Sequence, residues 1–234
     1  MTAVLFVVTA ADHWTLADGT RHATGFWAEE LATPHRLFRE AGFDVTIATP
    51  GGVTPTVDAA SLAPEATGGS DQADAIAAYL ESIRADLEKP VTLEEVDLDA
   101  YDAVLYPGGH GPMEDLAVHA ASGRLLTAAL DSGKPLGVLC HAPAALLAAR
   151  REDGSWPFAG YRITGFTNDE ETAAGFADKA PWLLQDRLVE RGADFHAAAP
   201  FSEHVVADRN LHTGQNPASS ARLARNLIDV LNRR

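Results

Sequence analysis

The sequence has one cysteine in 234 residues, at position 140. That excludes an internal disulfide framework and every zinc site that needs two or more thiolates, so any chemistry at Cys140 is the chemistry of a single thiol. Basic residues are also scarce: 18 Lys plus Arg stand against 33 Asp plus Glu, a formal net charge of −15. A surface this acidic repels nucleic-acid phosphates and anionic lipid, which excludes nucleic acid and membrane as partners and leaves small molecules or protein. No apolar run reaches the ~18 to 20 residues of a membrane span. The opening stretch MTAVLFVVTAADHW has neither a charged leader nor a long apolar segment, so it reads as a first strand of a cytoplasmic protein. Neither the Walker pattern nor a GxGxxG loop occurs, which removes the usual nucleotide-binding signatures.

What remains is ordinary globular stock, 46% hydrophobic and 22% charged, enough to bury a full core. The length suits one α/β domain spanning 1–234. Element types alternate along it: strand 3–10, helix 26–42, strand 43–49, loop 50–69, then a helix over 71–88 with Ser70 as its N-cap. A strand at 102–106, a helix at 116–132, a strand at 135–140 and a helix at 142–150 follow. Past a polar excursion at 151–160 come a helix at 182–192, the paired runs HVVAD and NLHTG, and a terminal helix from 218. The strands are continuously apolar rather than alternating, which predicts a mostly parallel, doubly wound sheet with helices on both faces. Ligands in such sheets bind beyond the carboxyl ends of the strands, so the loops there are the place to look for chemistry.

Three loops carry candidate residues. In LGVLCHAPAALL the thiol of Cys140 passes from a strand into the start of a helix, where the helix dipole favours a thiolate, and His141 beside it offers a proton acceptor. The alternative is a small buried core cysteine. In PGGHG at 107–111 the glycines let backbone N–H groups hold an oxyanion, or simply make a tight turn. Carboxylates at Glu29, Glu30, Glu170 and Glu171 are either solvated helix-start residues or, if buried beside the thiol, a proton shuttle with a raised pKa. Nine histidines are spread with no HxH or HxxxH pair, so no metal site is expected unless folding assembles one. Trp14, Trp27, Trp156 and Trp182 are core residues or pocket walls.

Taken together, YPGGHGPMEDL, GKPLGVLCHAPAAL, TGFTNDEE and TGQNPASS resemble the ThiJ/PfpI superfamily, the class I glutamine amidotransferase-like group, over roughly residues 2–232. The segment TGFWAEELATPHRLFREAGFDV, with three residues between Glu30 and Pro34, is similar to its heat-shock chaperone and glyoxalase III branch. The resemblance implies a flavodoxin-like three-layer sandwich with Cys140 as nucleophile, His141 beside it and Glu30 reaching the thiol from the first helix. It also implies Glu171, or else Glu170, as the acidic third member. Gly109 and His141 N–H groups would form the oxyanion hole, with Gly108 and His110 lining the pocket. A departure is the Thr49-Pro50 turn and VTPTVD, where relatives carry Ser-Pro and a longer link before the acid, here Asp58; this bears on pocket shape. The implied activity is a glyoxalase, a lyase converting methylglyoxal and water to lactate without cofactor or metal, acting on a small reactive aldehyde in a homodimer. Chaperone, amidase or peptidase, and redox-sensing roles are the alternatives within the same superfamily.

Overall fold

The computed structural model describes residues 2–233. Strand β1 (Ala3–Val7) leads into a small hairpin of β2 (His13–Thr15) and β3 (Arg21–Ala23), then helix α1 (Ala28–Glu40) and β4 (Asp44–Thr49). Next come α2 (Pro64–Thr67), α3 (Ser70–Ser82), α4 (Arg84–Leu87) and β5 (Val91–Thr92). The middle of the chain holds β6 (Ala103–Tyr106), the single turn α5 (Gly111–Glu114), α6 (Ala120–Asp131) and β7 (Leu136–Leu139). The last part holds β8 (Arg162–Ile163), α7 (Asn168–Ala173), α8 (Leu184–Glu190), β9 (Asp194–Phe195), β10 (Val205–Asp208), β11 (Leu211–Gly214) and α9 (Ser220–Leu231).

Seven strands form the central sheet in the order β10-β11-β7-β6-β1-β4-β5. All neighbours are parallel except β10 and β11, the HVVAD and NLHTG runs, which pair antiparallel at one edge. Every residue of β6 and β7 is buried, as expected when both faces of a parallel sheet are covered. Helix α1 packs on α9 and α3, and α6 packs against the turns that follow β7. On α9 the residues Leu223, Leu227 and Leu231 lie inside; each buried leucine contributes about 1.5–3 kcal/mol. This is the doubly wound class the alternation predicts, and the ends of β1, β6, β7 and β11 converge where Thr9, His110, Cys140 and Gln215 lie.

Several elements differ from expectation, each for a local reason. The segment after Cys140 is not an α-helix but a run of 3-10 turns over Ala142–Ala148, with Pro143 unable to donate and Ala144 N–H closing back on the His141 carbonyl at 3.0 Å. The helix expected over 71–88 breaks at Ile83 (φ −107°, ψ 16°), and its cap is Gly69 rather than Ser70, which is the first helical residue. The helix expected from 116 begins as a 3-10 turn, and α6 starts only after His119, whose Nδ1 accepts the Ser122 N–H at 3.3 Å. The 50–69 loop contains α2 and a bridge from Val57 to Phe26. The β2–β3 hairpin, absent from the sequence reading, is fastened by acids of PGGHGPMEDL: Glu114 accepts from Thr15 N–H and Oγ1, and Asp115 from Thr9 Oγ1 and the Ala10 and Ala11 N–H groups. Among the described residues no helix is long and apolar enough to cross a membrane.

Candidate active site

Cys140 directly follows β7 with φ 60°, a left-handed conformation that costs a non-glycine residue energy and persists only where its neighbours enforce it. Here the enforcement is backbone hydrogen bonding on both sides: Cys140 N–H donates to the Gly214 carbonyl at 2.9 Å, and its carbonyl accepts from Phe166 N–H at 2.8 Å. The residue is 3% exposed. Its Sγ lies 3.3 Å from His141 Nδ1, His141 Nε2 lies 2.7 Å from Glu171 Oε2, and Glu171 Oε1 lies 2.9 Å from His110 Nε2. An ionised carboxylate can only accept, so both Nε2 atoms carry a hydrogen, and Nδ1 is the ring nitrogen that His141 turns toward the thiol.

Glu30 approaches from the other side. Helix α1 docks on the glycine loop through Trp27 N–H to the Gly108 carbonyl at 2.9 Å, and Gly111 N–H returns to the Gly25 carbonyl at 3.2 Å. This seam leaves no room for side chains. A Cβ on Gly108 would sit 2.5 Å from the Leu139 carbonyl oxygen and 2.7 Å from Glu30 Oε2, and Gly109, at φ 98°, would put one 2.5 Å from the Gly25 carbonyl oxygen. Glu30 is wholly buried, its Oε2 accepts the Gly108 N–H at 2.8 Å, and its Oε1 has no hydrogen-bond partner although it lies within the protein. Gly109 N–H faces the sulfur, leaving the Gly108 amide committed to Glu30.

Burial pushes the Glu30 carboxyl up to about 8, against the lowering effect of its contacts with Cys140 and Gly108 N–H. Burial also raises the Cys140 thiol well above its ordinary value, Glu30 adds to this, and Gly109 N–H opposes it. The pair therefore holds its protons in the resting protein. This corrects the expectation of a thiolate favoured by a helix start: no α-helix begins there, and desolvation beside a carboxyl outweighs the few amides present. Glu171 is the reverse case. Burial works to raise it, but the charge of His141 and the hydrogen bonds from both imidazoles hold it well below the usual carboxylate range. Burial, then His141, lowers His110.

Folding thus brings Cys140, His141, Glu30, Glu171, Gly108, Gly109 and His110 together, and leaves Glu29 outside, bonded to Thr33 at 2.9 Å. Glu170, next to Glu171, faces elsewhere: its Oε2 closes a capping box with Thr167, and its Oε1 accepts from Phe201 N–H, Gln215 Nε2 and Asn216 Nδ2. Asp58 lies buried away from the thiol, accepting from Thr24 Oγ1 at 2.6 Å. The sequence reading missed the aromatic clamp on His110. Trp14 stacks flat on that ring at 4.6 Å and 12°, with Phe176 and His22 against its other sides. The signal available was Trp14 itself, assigned only as core or pocket wall. Folding also groups ligand atoms of His110, His141 and Glu171 within 4.8 Å of one another, a two-histidine, one-carboxylate set that suits a divalent transition metal.

Comparison with known proteins adds four relationships. The chain matches the DJ-1/PfpI family over residues 22–230. It is 35% identical over 190 residues to the glutamine amidotransferase-like class 1 domain-containing protein 1 of Bos taurus, covering 80% of each chain. It is 30% identical over 233 residues to the protein/nucleic acid deglycase HchA of Pseudomonas aeruginosa, covering 95% of this chain and 78% of that protein. The crystal structure of glyoxalase III from Candida albicans superposes with a TM-score of 0.81 at 24% identity, covering 97% of this chain and 96% of that one, a likeness of fold.

Proposed function

The chain belongs to the DJ-1/PfpI family, and from that premise we propose that it is a cysteine-dependent glyoxalase that converts methylglyoxal and water to lactate using its own side chains. The observation that carries this reading is the fully buried Glu30 carboxyl, raised to about 8 and in contact with the thiol of Cys140. A carboxyl that keeps its proton at neutral pH suits a reaction that passes one proton between neighbouring carbons. That a relative 30% identical over nearly the whole chain is named a deglycase supports an enzymatic reading of the same residues.

In this mechanism the thiol proton passes to His141 Nδ1 as Sγ bonds to the aldehyde carbon, giving a hemithioacetal. Gly109 N–H, with the His141 N–H, would hold the oxygen as negative charge develops. Glu171 keeps the imidazole in the tautomer that accepts at Nδ1 and stabilises the imidazolium formed. His141 hands that proton to the hemithioacetal oxygen and is free to accept again; the hydrogen on the former aldehyde carbon then leaves to His141 as a proton while Glu30 gives its proton to the neighbouring carbonyl oxygen, and the electron pair forms the enediol. His141 next protonates the neighbouring carbon as the ionised Glu30 takes back the hydroxyl proton of the first carbon. The first carbon is thereby oxidised to a thioester and the second reduced to an alcohol, so no external oxidant is needed. Water then cleaves the thioester, releasing lactate and the thiol.

The test is methylglyoxal loss with lactate formation, without added glutathione or metal, on wild type, Cys140→Ala and Glu30→Gln. Turnover in wild type that vanishes in Cys140→Ala is expected. Full turnover by Cys140→Ala, or none by wild type, would overturn the proposal.

A further inference from the structure

The chemistry above makes no use of the loop at 196–204, yet that loop holds the least explained backbone in the molecule. Among the described residues three that are not glycine have positive φ: Cys140, Phe201 and Arg209. Cys140 is the nucleophile directly after β7, and Arg209 occupies the tight turn between β10 and β11, where positive φ is what a two-residue hairpin loop requires. Phe201, at φ 58°, has neither reason, and a bulky residue there is a true outlier.

The strain is held in place rather than averaged away. Phe201 N–H donates to Glu170 Oε1 at 2.8 Å, the Ser202 carbonyl accepts from Asn216 Nδ2 at 2.8 Å, and Ala198 N–H donates to Gln215 Oε1 at 2.8 Å. Glu170, Gln215 and Asn216 are all wholly buried, and the last two belong to the TGQNP motif. Three buried polar side chains thus fix a loop whose one large apolar residue is 52% exposed. That ring meets Phe166 edge-on at 6.1 Å and 64°, and Phe166 lies on the His141 ring at 4.3 Å while its N–H holds the Cys140 carbonyl. Strain kept by a rigid surround at the edge of a reactive site is where a binding role is to be sought.

We propose that Phe201 and Phe166 form an aromatic platform leading from the surface to His141, which receives the apolar or aryl substituent of the substrate. The inference rests on the oxoaldehyde reading above and narrows its substrate class to 2-oxoaldehydes bearing such a substituent, in preference to methylglyoxal. Two independent ratios test it. One is kcat/KM for phenylglyoxal over methylglyoxal. The other needs no turnover: the rate of Cys140 alkylation by phenacyl bromide, in which sulfur displaces bromide, over that by iodoacetamide. Both ratios are expected to fall by about tenfold in Phe201→Ala, the scale of one lost aromatic contact, and to return in Phe201→Tyr. Phe201→Gly, which also relieves the backbone, should lose them equally. If wild type turns over neither oxoaldehyde while the alkylation ratio still falls in Phe201→Ala, the platform stands and the glyoxalase reading fails. An alkylation ratio unchanged in Phe201→Ala and Phe201→Gly overturns the platform whatever the turnover assay gives.

Discussion

Glu30→Gln is expected to make the protein more stable and less active, with the gain in stability growing as pH rises. The carboxyl is held at about 8 against an ordinary 4.5 because burial disfavours its charge. Below 4.5 the group is protonated whether the chain is folded or not, and it adds no pH dependence. Between 4.5 and 8 the unfolded chain releases a proton that the folded chain keeps, so wild-type stability falls by about 1.4 kcal/mol per pH unit from this group alone. Across the window that amounts to about 5 kcal/mol, an upper figure because the Cys140 proton is coupled to it. Glutamine keeps the shape and can still accept the Gly108 N–H, but it never ionises. The assay is urea unfolding of both proteins at pH 5, 6, 7 and 8, comparing differences so that all other titrating groups cancel. The stability difference should widen steadily to pH 8 and then level. Methylglyoxal turnover at pH 7 should fall at least ~100-fold, since the amide cannot relay a proton. A difference that does not change with pH would refute the reasoning, because Glu30 would then ionise as readily in the folded protein as in the unfolded one.

The neighbouring carboxylates on α7 separate by readout. Glu171→Gln should cost ~100-fold or more in kcat, since it disturbs the imidazole that faces the thiol, and should also destabilise, because its amide would oppose one of the two imidazole donors. Glu170→Gln should destabilise by about 1–3 kcal/mol, because its amide would oppose donors from Thr167, Phe201, Gln215 and Asn216, with a much smaller effect on kcat; steady-state kinetics distinguish the two. Gly108→Ala would force a methyl to within 2.5 Å of the Leu139 carbonyl oxygen. The expected loss is about 1–3 kcal/mol of stability, read by denaturant unfolding, with a fall in turnover as Glu30 is displaced.

The strand pattern was legible because a parallel sheet covered on both faces needs unbroken apolar runs, and AVLFV, AVLY and LGVL are such runs. The loops carrying the thiol and the glycines were legible for the same reason, since each directly follows a buried strand. What escaped the sequence was set by contacts between distant segments. Nothing near His110 marks its bond to Glu171, 61 positions away, and nothing near Trp14 marks its stacking on that imidazole. The ionisation of Cys140 was misjudged because burial is a property of the whole fold, whereas the dipole argument uses only the residues next in line. The 3-10 turns after Cys140 were missed for a different reason, since Pro143, which the sequence reading accepted as harmless in a first helical turn, stands where the backbone closes on the His141 carbonyl instead.

The adjacent pair Glu170 and Glu171 shows how one short helix joins the rim of the site to its chemistry. Successive residues on a helix point about 100° apart, so two neighbouring carboxylates cannot serve one partner. On α7, Thr167 fixes the first turn through a capping box that uses Glu170, and the remaining oxygen of Glu170 holds the loop bearing Phe201. That same turn sets where Glu171 emerges to meet His141 and His110. A rotation of α7 large enough to free the Phe201 loop would therefore withdraw the acceptor from both imidazoles. The bond that holds the Phe201 loop and the bonds that hold both imidazoles thus come from neighbouring residues of one helix of six residues, with no direct contact between Phe201 and the sulfur required.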